Sequence, residues 1–233
     1  EFTQLYIKLK SEGADRATVL REISHLDGFY VPSLYDVSYN NDGTIASYSP
    51  KYPDVPARVR KRIISDMDSS YFPDRLIMPY IETVHDRIVP EVYRGCIRGC
   101  RFCQAGMIYR PVREKSPEVL DSQCRKLYEN TGFDEISLCS LSISDYSRLG
   151  ELTDRLLSWT ENKNVSISLP SLRVDSFTKE LMEKISSVRA SGITFAPEAG
   201  TQRMRDVINK NVKSDDLMRA CGTAFEAGKN QVK

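Results

Sequence analysis

The sequence predicts an α/β fold in which parallel strands alternate with helices from about residue 88, preceded by an α+β extension over residues 1–87. Three observations predict it. Short β-rich runs alternate with segments whose apolar residues recur at helical spacing, Gly, Pro and Ser punctuate the joints, and residues 1–87 lack that alternation. Right-handed strand–helix–strand crossovers give either an open doubly wound sheet or a barrel, and both architectures place their active sites just after the strands.

The elements follow in order. "RIVPEVYRG" (87–95) is a β-rich run ending at a cysteine cluster. "SPEVLDSQCRKLYENTG" (116–132) reads as a helix, with Pro117 suited to the first turn and Gly132 closing it. "FDEISLCSLS" (133–142) is a second strand, "DYSRLGELTDRLLSWTEN" (145–162) a helix and "VSISLPSL" (165–172) a third strand. "SFTKELMEKISSVRASG" (176–192) opens a further helix with a cap at Ser176. "ITFAPEAG" (193–200) is a fourth strand, "TQRMRDVINKN" (201–211) and "KSDDLMRACGTAFEAGK" (213–229) are helical, and "NQVK" (230–233) begins a fifth strand. Four strands and a fragment are too few for an eight-stranded barrel, so the expected sheet is incomplete at its C-terminal end. In the extension, "TVLREISHL" (18–26) is helix-like, and "NNDG" (40–43) between β-rich runs reads as a hairpin turn.

Composition bounds the function. With 40% apolar and 28% charged residues, the 233-residue chain has the material for a core. Thirty-three basic and 32 acidic side chains leave a formal charge of +1, so no global field points to nucleic acid or an anionic membrane. The local run "ARVRKRI" (57–63) reads first as a solvated face and second as a phosphate contact, which leaves nucleic acid undetermined. No apolar run approaches membrane-spanning length and the start lacks a signal-peptide pattern, so the expected location is the cytoplasm.

Six cysteines divide into a cluster, Cys96, Cys100 and Cys103, and three isolated residues, Cys124, Cys139 and Cys221, expected to be small buried hydrophobes. The clustered spacing Cys-x3-Cys-x2-Cys has no second Cys or His pair beside it, as a zinc finger or ribbon requires. His85 is the one remote candidate for a fourth ligand. Three thiolates hold three irons of a [4Fe-4S] cluster and leave one iron open, the arrangement of a catalytic rather than a structural metal site. Gly95 and Gly99 allow close backbone approach, Arg94, Arg98 and Arg101 supply positive charge, and Phe102 shields the cluster or stacks on a base. A filled zinc or electron-transfer site remains the alternative.

The Cys-x3-Cys-x2-Cys run, with an aromatic before its last cysteine at the end of a first strand, resembles the signature of the radical S-adenosylmethionine superfamily. Together with "SLPSLRVDS" and "TFAPEAGTQRMRDVINKN", it is similar to poorly characterised bacterial members that carry a cobalamin-binding domain before the barrel. The resemblance implies a partial (β/α) barrel over residues 88–233, ending near the fifth strand. It also implies that S-adenosylmethionine completes the open iron. One electron from a donor such as flavodoxin or ferredoxin then yields a 5′-deoxyadenosyl radical that takes hydrogen from an unidentified substrate.

The family's Gly-Gly-Glu segment after strand two reads Cys139-Ser140-Leu141-Ser142 here, which makes Ser140 and Ser142 candidates for cofactor contact or for strand-end capping. Arg173 is a candidate for the cofactor carboxylate or for a salt bridge, and Glu198 for its ribose or amino group. Gln104 and Tyr109 flank the cysteine loop as candidate cavity residues. The cobalt-ligand motif Asp-x-His-x-x-Gly is incomplete: His25 and Gly28 are present, but Ile23 stands where the aspartate belongs. Cobalamin is therefore expected only through a domain outside this chain.

Overall fold

The computed structural model describes residues 1–180, 184 and 192–233, and the helix expected over 176–192 lies largely outside them. Two compact units are present, Glu1–Ile64 and Ser65–Lys233.

The first unit opens with α1 (Phe2–Ser11) and α2 (Arg16–Ile23), two helices where one was expected. Asp15 caps α2 by accepting the Thr18 N–H at 2.8 Å, which satisfies one of the free donors at a helix start. The hairpin is present as β1 (Tyr35–Tyr39) and β2 (Ile45–Pro50), antiparallel with Tyr35 opposite Pro50. Gly43, at φ +82°, takes the left-handed turn conformation that glycine adopts without a Cβ penalty. Leu9, Val19, Ile23, Leu34 and Val55 form a small core. His25 follows the end of α2 and faces the Asp54 carboxylate at 3.2 Å.

In the second unit, strand alternates with helix as the periodicity requires. Its short strands are β3 (Tyr93–Arg94), β4 (Arg113–Glu114), β5 (Glu135–Ser137) and β6 (Ser166–Ser168). β5 and β6 pair in parallel, and parallel bridges Ile88–Ile136 and Glu91–Cys139 lay residues 88–92 on the other side of β5. A further parallel bridge joins Ile193 to Val232. All five expected strands thus carry parallel pairing. The antiparallel β3–β4 pair was not expected, and it extends the first strand into the cysteine loop.

The helices are α3 (Gln104–Ile108), α4 (Pro117–Thr131), α5 (Leu149–Thr160), α6 (Gln202–Val207) and α7 (Ser214–Glu226). α4 has the start and stop its sequence signals: the Ser116 hydroxyl accepts the Val119 N–H, Pro117 fills the first turn, and Gly132 ends the helix at φ +70°. Ile88, Val92, Ile136, Leu138 and Ile167 alternate onto one face of the ladder and join Leu120, Leu127, Leu152, Leu156 and Trp159 in the core. Cys124 joins them, and burial pushes its thiol up to about 12. Cys221 is half-buried, whereas Cys139 is exposed, a correction to its reading as a core residue. The physical reason is strand alternation: with Ile136 and Leu138 committed to the core, Ser137 and Cys139 point to the other face. Among the described residues no helix is long and apolar enough to cross a membrane.

Leu156 is fully buried, so Leu156→Ala should lower unfolding stability by about 2–5 kcal/mol, read from denaturant curves followed by Trp159 fluorescence.

Candidate metal and cofactor site

The cysteine loop connects β3 to α3 at the C-terminal end of the first strand, and local sequence dictates its shape. Gly95 sits at φ +101°, and a Cβ there would lie 2.7 Å from the Pro111 carbonyl oxygen and 2.8 Å from that of Tyr109. Only glycine fits. Cys103 caps α3, its sulfur accepting the Gly106 N–H at 3.4 Å, and Cys96 sulfur accepts the Arg98 N–H at the same distance. Two thiols are therefore already met by backbone donors suited to thiolate charge.

Charged contacts hold the loop to the ends of the next two strands. Arg98 donates from Nε to Asp145 at 2.9 Å, makes a second, shorter bond to the same carboxylate, and reaches Asp175 at 3.4 Å. Arg173 grips Asp175 through two bonds of 2.9 and 3.1 Å and donates to the Lys210 carbonyl at 3.1 Å. Burial works to raise the Asp145 carboxyl, but the Arg98 hydrogen bonds, the nearby Ser142 hydroxyl and the Arg98 and Arg173 charges outweigh it and hold it below the ordinary range. Tyr93 lies beside this network and is pushed up to about 12, first by burial and then by the Asp145 charge.

A cavity of about 250 Å³ opens over the loop. Cys96, Cys100, Phe102, Cys103, Ser142, Arg173 and Glu198 all line it. Sequence reading thus named seven side chains, spread over 103 positions, that the fold brings to one hollow. Ser142 Oγ is buried without a well-formed hydrogen bond, though it is near enough to Asp145 to help hold that carboxyl down. Glu198 takes the left-handed φ of +67° and accepts from Lys210 Nζ at 3.1 Å, and Lys210 lies 5.9 Å over the Phe102 ring.

Ser140 is placed elsewhere. It lines a neighbouring cavity of about 350 Å³ with Glu91, Arg94, Tyr109 and Cys139. Leu141 borders both cavities, and Gln104 begins α3. Sequence reasoning missed Asp145, Asp175 and Lys210 as members of the site. A signal existed for the two aspartates, which follow strands two and three where α/β folds place functional loops.

The donor set suits a metal cluster: three thiols on one wall, backbone N–H groups aimed at two of them, and guanidinium groups behind. Among the described residues, no group of three His, Cys, Asp or Glu side chains is gathered as the ligands of a metal ion.

A sequence profile of the Radical SAM superfamily matches residues 91–233. The uncharacterized protein MJ0966 of Methanocaldococcus jannaschii is 33% identical over 143 residues, 61% of this chain and 31% of that protein. A second protein of that organism, named "Putative methylthiotransferase MJ0865", is 22% identical over 147 residues, 59% of this chain and 32% of its own. This chain thus spans about a third of the length of both relatives. Among solved structures, the apo form of the cobalamin-dependent S-adenosylmethionine radical enzyme OxsB superposes with a TM-score of 0.56 at 13% identity, covering 84% of this chain and 28% of that one. That likeness is one of fold, a partial TIM-barrel-like α/β architecture.

Two outcomes follow. Because the Asp145 pKa is depressed in the folded chain, its stabilisation is complete above the unfolded value of about 4 and is lost as pH falls through the folded one. Asp145→Asn should cost roughly 1–3 kcal/mol at pH 7, and the gap should close below about pH 4 in paired urea titrations. Gly95→Ala should lower Tm by several degrees, since backbone carbonyls block its Cβ on two sides.

Proposed function

Because this chain belongs to the radical SAM superfamily and is an enzyme, we propose that it binds a [4Fe-4S] cluster through Cys96, Cys100 and Cys103 and seats S-adenosylmethionine in the adjoining cavity. The catalytic portion in this reading is residues 88–233, a partial barrel of radical-SAM type. The observation that carries this reading is the convergence of all three thiols with Phe102, Ser142, Arg173 and Glu198 on one hollow at the strand ends.

When bound, the cluster supplies the electron that cleaves S-adenosylmethionine reductively and starts radical chemistry on a substrate. The residues of this chain do the rest. Gly95 and Gly99 let the backbone approach the sulfur atoms, and the N–H groups of Arg98 and Gly106 temper thiolate charge. Phe102 offers a face for the adenine ring. Glu198 accepts from ribose hydroxyls or the amino group, and Lys210 beside it sets its orientation. Ser142 presents a buried hydroxyl to the cofactor. Arg173 is already paired with Asp175, so it meets a carboxylate only by sharing its guanidinium, and its positive field does much of that work at a distance. Ser140 lines the second cavity and is not part of the proposed cofactor contacts.

A low-potential donor of the flavodoxin or ferredoxin class supplies the electron, and the cytoplasm is the compartment proposed for the protein. Methyl or related group transfer is the reaction class in best accord with the name of MJ0865 and the cobalamin dependence of OxsB. These residues do not make a cobalamin site of their own, since Ile23 stands where the orienting aspartate is needed.

Anaerobic incubation with iron and sulfide, followed by reduction with dithionite, tests the reading. The expected result is a brown protein that converts S-adenosylmethionine to 5′-deoxyadenosine and methionine. Cys100→Ala should reduce that cleavage to background while leaving the far-ultraviolet circular dichroism unchanged. One tightly held zinc per chain and no cleavage would replace the enzyme with a closed metal module.

A further inference from the structure

The cysteine loop is gripped from a part of the chain more than a hundred residues away. Asn209 Nδ2 donates to the Gly99 carbonyl at 2.8 Å, across 110 positions of sequence. One residue earlier, the Ile208 carbonyl accepts the Arg101 N–H at 2.9 Å, and the Val207 carbonyl accepts from Arg101 Nη1 at 2.6 Å. One residue later, Lys210 reaches Glu198 and lies over Phe102, while its carbonyl takes the Arg173 bond. The turn after α6 therefore touches the cysteine loop and the opposite wall of the cavity within four consecutive residues.

Backbone conformation shows that the turn is built for this. Asn209 has φ +55° and Asn211 φ +53°, left-handed values that asparagine tolerates better than most residues but that still cost energy. At position 209 the amide is what distinguishes asparagine from a freely left-handed glycine, and that amide is spent on Gly99. Gly99 leaves the amide its place: a Cβ there would lie 3.0 Å from Asn209 Nδ2 and press on it.

We propose that Asn209 is a positioning residue for the cluster-binding loop, acting through the Gly99 carbonyl to fix the path of the chain between Cys96 and Cys103. The proposal rests on the cluster reading above for its chemical meaning. Its geometry stands independently of any bound group, because the bond is made by the polypeptide alone.

Two variants test it without forcing the turn. Asn209→Gly keeps the left-handed backbone and deletes the amide; Asn209→Asp keeps size and conformation but presents a carboxylate that cannot donate to the carbonyl. In the metal-free full chain, amide hydrogen exchange across residues 99–103 should rise about tenfold in both variants, the loss expected for one hydrogen bond, while Tm falls by only a few degrees. In iron- and sulfide-loaded protein, both variants should bleach faster than the parent under a ferrous chelator and show a broadened reduced-cluster electron paramagnetic resonance signal. Parental exchange rates in both variants would overturn the positioning role. Faster exchange with parental bleaching and signal would overturn its extension to the cluster. If the parent takes up no cluster while exchange still responds, the failure lies in the cluster reading and the loop clamp stands.

Discussion

The site depends on one partly buried run of charge. Arg98 sits between two of the cysteines and is shared by Asp145 and Asp175, and Asp175 is shared in turn with Arg173. Each carboxylate comes from the loop after a different parallel strand, so one side chain of the cysteine loop ties it to the ends of both. Such pairs lose hydration and recover it only when the geometry is good and the remaining polar atoms are satisfied. Here the two-pronged Arg98–Asp145 contact meets the first condition, and the bonds from Arg173 to Asp175 and the Lys210 carbonyl meet the second. Removing either aspartate leaves a guanidinium beside three thiols with less to hold it in place.

The same network divides labour between fold and chemistry. The apolar face of the ladder, from Ile88 to Ile167, binds the helices, while the strand ends are left polar. Stability is concentrated in the first layer, so the second is free to carry charge, left-handed backbone at Glu198 and an underbonded hydroxyl at Ser142. A protein that belongs to the radical SAM superfamily on its sequence thus shows, residue by residue, how the strand ends supply both anchor and lining.

Much of this was legible in the sequence because it is written locally. Alternation of apolar residues, Pro117 in a first helical turn, Gly132 at a helix end and the hairpin turn at Gly43 each act within a few positions, and each is found where expected. The cysteine spacing is local too. What sequence reading missed acts at a distance or lacks a marker. α1 has no side-chain cap to announce it. The β3–β4 pairing joins two-residue strands too short to leave a pattern. Asp145, Asp175 and Asn209 look like ordinary loop residues until the fold brings them to the cysteines, and the Asn209 bond ends on a main-chain carbonyl that carries no sequence signature. Cys139 was misplaced for a different reason: its apolar neighbours were read as one run rather than as alternate faces of a strand.

The left-handed turn at Gly95 has a further consequence for assembly. A Cβ at Gly95 would collide with two carbonyl oxygens and the Gly99 carbonyl is held by Asn209, so the path of the loop is set by the polypeptide's own contacts. Small zinc domains gain their fold from the metal and lose it to a chelator. In this chain the cysteine loop takes its order from contacts of the polypeptide itself, so that ordering cost falls on folding.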